Sequence, residues 1–134
     1  MAKITPANVL QLGFDKGQFG DPSNWAGAGG YLAAIISDQA AAVARKLGST
    51  YTSPSADQLN IIKQGELFLV EAELWRRLSI FSLANHSLQN SETGEPINFK
   101  SRAETAQSKA QTVLGEIQTQ TFTGLATGIV ISPN

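Results

Sequence analysis

Cysteine is absent from this 134-residue chain, which excludes disulfides, zinc–thiolate and iron–sulfur sites, and thiol catalysis. Histidine occurs once, at His86, whereas a typical zinc site needs several such ligands. Charge is scarce: 16% of residues are charged and the net charge is −1, so the basic footprint of a nucleic-acid-binding surface is missing. No apolar run approaches the roughly 18–20 residues that span a bilayer. None of the roughly 7–15 apolar residues of a secretory leader follows the N-terminal Met-Ala-Lys-Ile-Thr-Pro. The expectation is a soluble chain made in the cytoplasm, with no membrane contact, no metal and no cofactor.

Catalytic motifs are missing as well. There is no Gly-rich phosphate loop followed by lysine, no His-Glu-x-x-His and no calcium loop. His86 could serve Ser82 or Ser87 as a base, but no acid partner or nucleophile elbow frames it. A surface or helix-capping histidine is expected, and no enzyme activity. Gly27-Ala-Gly-Gly30 precedes a helix, where backbone amides can hold anions; without a preceding strand or a lysine it reads as a hinge.

Polar uncharged residues are what the chain has in quantity: Ser, Thr, Asn and Gln supply 39 of its positions. Such a surface suits contact with other protein more than colloidal self-repulsion. The length fits one domain. Its organisation falls into a Gly-rich N-terminal segment (1–30), a helical region (31–120) and an extended C-terminal arm (121–134).

Six of the twelve glycines lie in residues 1–30, which disfavours a long helix there. Asp21-Pro22 reads as an N-cap and first helical residue, starting a short turn through Trp25. From Tyr31 to Leu47, Leu32, Ile35, Ile36, Ala40, Val43 and Leu47 recur at helical spacing. Arg45 and Lys46 suit the last turn and Gly48 the C-cap. Ser55 and Gln58 form a capping box that opens a second helix over about 56–82. On it Leu59, Leu67, Val70, Leu74, Leu78 and Phe81 fill one arc of about 100°, and Ile61, Phe68, Ala72 and Trp75 fill the next. About 27 residues span about 40 Å, against a radius of gyration of about 14 Å for a domain this size. The second apolar face needs a cover: either the terminal segments fold over it, or a neighbouring subunit does.

Phe68, Glu71, Trp75 and Leu78 are the candidate subunit-interface residues on that helix. Glu71 projects between the directions of Leu78 and Trp75 and needs a partner, a basic group from another helix or another subunit. Glu66, Glu73, Arg76 and Arg77 read as a solvated, salt-bridged face, with Glu73 and Arg77 an i, i+4 pair in the favourable order. Residues 87–100 read as a loop. Ser101 and Glu104 form a second capping box, opening a third helix to about Gln118. Its stripe of Ala103, Ala106, Ala110, Val113, Leu114 and Ile117 is thin, so modest docking is expected. The tail is uncharged and ends in a strand-like Ile129-Val130-Ile131 run, which a free chain leaves prone to aggregation. Phe122, Ile129, Val130 and Ile131 are the candidate partner-docking residues, by strand addition to a partner or as a strand or plug within the same chain.

The fold class is therefore mainly α: a small helical bundle with a long central helix and extended N- and C-terminal segments. The stretches Tyr31-Leu-Ala-Ala-Ile-Ile-Ser-Asp-Gln-Ala-Ala-Ala-Val-Ala-Arg-Lys-Leu-Gly48 and Leu67-Phe-Leu-Val-Glu-Ala-Glu-Leu-Trp-Arg-Arg-Leu78, in their order over residues 21–85, resemble the helical head–tail connector (head-completion, adaptor) proteins of tailed bacteriophages. The resemblance implies a structural virion protein located in the neck. It would form an oligomeric ring beneath the portal protein, continue the DNA channel, and dock a further neck or tail protein. Contact with viral DNA would be passive. Two other readings remain open: a small helical protein–protein interaction or regulatory module, and a capsid-decoration or tail-end protein.

With a net charge of −1, the isolated chain is expected to bind DNA weakly even at low salt, with a shallow salt dependence that reports few phosphate contacts. A gel-shift titration at several salt concentrations checks this; tight or sequence-specific binding contradicts it.

Overall fold

A computed structural model describes the backbone of residues 2–85 and 98–129 and the side chains of residues 2–80 and 98–117. Five helices follow in chain order: α1 (Pro6–Leu10), α2 (Tyr31–Leu47), α3 (Ser49–Thr52), α4 (Ala56–Asn85) and α5 (Phe99–Ile129), with a 3-10 turn at Lys16–Phe19. No strand occurs among the described residues. The mainly helical class read from periodicity is what is found.

Helix α4, 30 residues long, is the element around which the rest is arranged. Leu32, Ile35 and Ile36 from the start of α2 pack with Val70, Leu74 and Leu78 from the second half of α4, while Ala40 and Val43 meet Ile62 nearer its start. The two helices therefore run antiparallel. The N-terminus of α5 likewise lies beside the later part of α4, with Phe99 in the cluster of Leu74 and Leu78 and Leu114 beside Ile62. Much of the broad apolar girth of α4 is thus covered within one chain, by α2 and the N-terminal segment on one side and by α5 on the other, while Ile80 stays exposed.

Helix α2 has the expected limits. It ends at Gly48, whose φ of 59° places it in left-handed space and whose N–H donates to Ala44 O at 2.8 Å. The Ser55–Gln58 box also forms: Gln58 N–H donates to Ser55 Oγ at 3.2 Å, and Ser55 N–H to Gln58 Oε1 at 2.9 Å.

Several features differ from the sequence reading. Asp21 does not cap a helix: its φ is 56°, because a residue before proline avoids the right-handed helical region and aspartate tolerates the left-handed one. The glycines at 27–30 are knit rather than hinged. Asn24 accepts from Gly27 N–H at 3.1 Å and donates to Ala28 O at 3.1 Å, and Tyr31 N–H donates to Asn24 O at 2.8 Å. Helix α5 begins at Phe99, not Ser101: the Asn98 side chain accepts from Ser101 N–H at 2.9 Å, an N-cap bond that satisfies an orphan donor. At the other end α5 continues to Ile129, so residues 121–129 are helical where an extended arm was expected. Isolated Gly124 and Gly128 each weaken a helix by only about 1 kcal/mol, and no proline interrupts the backbone ladder before Pro133. Residues 130–134 lie outside the described residues, as does His86.

Nor is the docking of α5 modest. Ala103, Ala106, Ala110, Leu114 and Ile117 are all buried, and α4 meets the stripe with a glycine. A Cβ built on Gly65 would lie 2.5 Å from Leu114 Cδ2. The helices approach to the distance that a bare Cα permits, and the small alanines close the rest of the seam.

That approach sets the sign of two otherwise identical substitutions. Gly65→Ala should destabilise the fold by about 1–3 kcal/mol through overpacking against Leu114. Gly115→Ala, with nothing within 4 Å of its added carbon, should stabilise it by about 0.5–1 kcal/mol. Urea unfolding of the two variants measures both.

Candidate functional site

Glu66 lies midway between Ile62 and Val70, one α4 turn from each, and is 1% exposed. A carboxylate so placed is costly unless hydrogen bonds replace its water. Oε1 accepts the backbone N–H of Lys3 at 2.8 Å, and Oε2 accepts a short bond from the Tyr51 hydroxyl. The ammonium of Lys3 sits 4.9 Å from the centre of the Tyr51 ring, adding positive charge to the group. One α4 side chain thereby fastens both the N-terminal segment and α3. The salt-bridged reading of this face holds for Glu73 and its arginines, and fails for Glu66. Its sequence signal was an i±4 position between two buried aliphatics.

Burial, together with the hydrogen bond to Glu66 and its negative charge, holds the Tyr51 phenol above its ordinary range. The hydroxyl therefore stays a donor wherever tyrosine is normally neutral.

The four candidate interface residues of α4 separate. Leu78 is 0% exposed within the single chain, so no partner surface can reach it. Its place is the intramolecular core. Trp75 is partly buried against its own chain: Phe14 meets it edge-on at 4.8 Å, Phe99 stacks at 5.6 Å, and the Arg102 guanidinium lies 5.0 Å from its ring. Glu71 finds its partner one turn along the same helix, accepting the Trp75 indole N–H at 3.1 Å, where a basic group or another subunit was expected. Glu71, Trp75 and Phe68 all stay partly exposed, and of these Phe68 lines the open side of the α4–α5 seam. It is half-buried, with Lys109 Nζ 5.8 Å from its ring centre.

Phe68 and Val113 form the apolar floor of an open groove of about 620 Å³ between α4 and α5, whose walls include Gln64, Glu104, Ser108 and Thr112. Further along the same seam Arg76 donates to Glu73 Oε1 at 2.6 Å and to Gln107 Oε1 at 2.9 Å, and Arg77 Nε donates to Glu73 Oε2 at 2.9 Å. Glu73 thus pairs with both arginines within α4; Arg76 reaches α5 through the uncharged Gln107, and the Arg77 guanidinium lies 5.2 Å from the centre of the Tyr31 ring of α2. No cluster of three or more metal-ligating side chains occurs among the described residues, and no helix there is long and apolar enough to cross a membrane. Of the tail candidates, Phe122 and Ile129 belong to the backbone of α5; their side chains, with Val130 and Ile131, lie outside what is described.

No family model matches the chain, and neither curated proteins nor solved structures give a match. What can be argued of function rests on these surfaces.

Tyr51→Phe should cost about 1.5–3 kcal/mol, the contribution of a hydrogen bond to a charged group. Because the folded state raises the phenol pKa, the stabilisation is whole below the ordinary tyrosine value of about 10 and is lost as pH rises beyond it. Chemical unfolding from pH 7 to 11 should show wild type falling toward the variant only at the alkaline end. Parallel curves throughout would contradict the arrangement.

Proposed function

We propose that this chain is a non-enzymatic structural adaptor that works by contact between proteins: a head–tail connector in the neck of a tailed-phage virion. It would assemble as a ring beneath the portal, with viral DNA passing through and a further neck or tail protein docked below. The observation that carries the reading is the antiparallel seating of the two resembling stretches, 31–48 on α2 and 67–78 on α4, in a bundle elongated by α5. A connector ring needs a long, stiff wall element with a self-sufficient core and a contact face outside it. Here the core residues Leu74 and Leu78 are closed within one chain, while the Phe68 groove stays open. The surface charge also suits a conduit, since a strongly basic lumen would hold DNA through counterion release and impede its passage.

Size-exclusion chromatography with light scattering, followed by electron microscopy of the purified chain, tests this reading. The expected result is a closed ring of many copies that Phe68→Asp disperses without loss of helical content. A monomer or dimer at every concentration would instead favour a small interaction or regulatory module.

A further inference from the structure

The first residues are fastened differently from the rest of the fold. Residues 2–12 contribute Ile4 and Val9 to the core, yet their backbone hydrogen bonds are almost all local. Thr5 N–H donates to Asn8 Oδ1, Asn8 N–H to Thr5 O, Leu12 N–H to Val9 O, and Gly13 N–H to Leu10 O. Among the described residues, the hydrogen bond from this backbone to the helices is that of Lys3 N–H to Glu66. A segment bonded so can leave its seat as a unit and orphan few polar groups.

A boundary for such a departure is present. Gly13 has φ of 94° and open space where a side chain would stand. Immediately beyond it the chain is fixed again: Phe14 is buried against Trp75, and Asp15 accepts from Gly17 N–H at 3.0 Å. On the near side, Leu10 and Leu12 are 42% and 36% exposed, two of the three exposed large aliphatics among the described residues. An apolar pair beside a hinge is left uncovered by the single chain.

We infer that residues 2–12 are an exchangeable strap, which in the assembled protein seats on the α2–α4 surface of a second copy. The occupant is identified by the seat itself. With the strap gone, the cluster of Leu32, Ile36 and Val70 loses Ile4 and Val9 and the Glu66 carboxylate loses the Lys3 N–H, and what restores them is a segment carrying Ile4 and Val9 at the same spacing with the Lys3 N–H ahead of them. A second copy supplies each of these contacts unchanged, so exchange costs only the opening of the Gly13 turn and the association itself. Neighbouring copies raise the effective concentration of the strap, which favours exchange over release. Passed head to tail, the exchange is heterologous and generates rings when the rotation closes. The inference rests on the assembly reading above and names the contact that would carry it.

The natural absence of cysteine makes the test direct. Thr5 on the strap and Ser37 on α2 line the same groove of about 490 Å³. Thr5→Cys and Ser37→Cys chains, each with a single thiol, are mixed at assembly concentration and treated with a short bis-maleimide. Any product joining the two sites lies between chains. Exchange predicts a Thr5→Cys/Ser37→Cys product of twice the monomer mass, several-fold above a control pairing Thr5→Cys with Thr112→Cys in the α4–α5 groove. Ala2→Cys, on the same groove wall, gives the same comparison if loss of the Thr5 cap loosens α1. A cross-link found only within the Thr5→Cys/Ser37→Cys double variant, with none between singly substituted chains, overturns the exchange. If rings nevertheless form, assembly stands without it; if the chain is also monomeric, both readings fall.

Discussion

Gly65 and Glu66 are neighbours in the chain and face different covers. Gly65 admits α5 to the closest distance two helices can take at that point, and Glu66 anchors the N-terminal segment and α3. Successive helical residues project about 100° apart, so a single turn of α4 sets the position of both layers. Substituting either residue disturbs one cover and leaves the other its own contacts. The burial of Val70, Leu74 and Leu78 follows from this, because an α4 held on both sides closes these positions to solvent.

The helices most legible in the sequence were those with both a stripe and a stop. Helix α2 has an apolar repeat, basic residues in its last turn and Gly48 beyond, and its limits are those expected. The capping box at Ser55 was equally plain. Where two capping signals competed, local pattern was insufficient. Ser101-Arg-Ala-Glu104 is a good box, yet Asn98 three residues earlier caps the helix, since Phe99 gains a buried site only if the helix begins before it. Asp21-Pro22 failed for the opposite reason, because backbone sterics around proline outweighed the side chain's aptitude for capping.

The less legible features were tertiary. Glu66 read as one more surface acid, and its burial depends on Tyr51 and Lys3, whose arrival no local pattern announces. Trp75 and Leu78 belonged to the second apolar face of α4, and periodicity does not say whether such a face meets another subunit or the chain's own ends. Here Phe14, Phe99 and Arg102 pack on Trp75, so most of its cover is intramolecular. Phe68 stands instead on the open side of the α4–α5 seam, beside Ser108, Lys109 and Thr112. Interface and core residues were alternate members of one helical pattern, separable once the neighbours were placed.

The bond from Lys3 to Glu66 spans 63 residues of sequence, and that separation has a consequence for synthesis. Ile4 and Val9 leave the ribosome long before the helix that covers them. At roughly 5–20 residues per second, several seconds pass before α4 is complete. Helix α4 then waits for α5 along its other side. A nascent chain therefore carries Ile4 and Val9 uncovered until α4 has emerged, and the α5 side of α4 uncovered for longer still. For a protein of this layout, the interval on the ribosome is a period of exposure that the finished fold does not reveal.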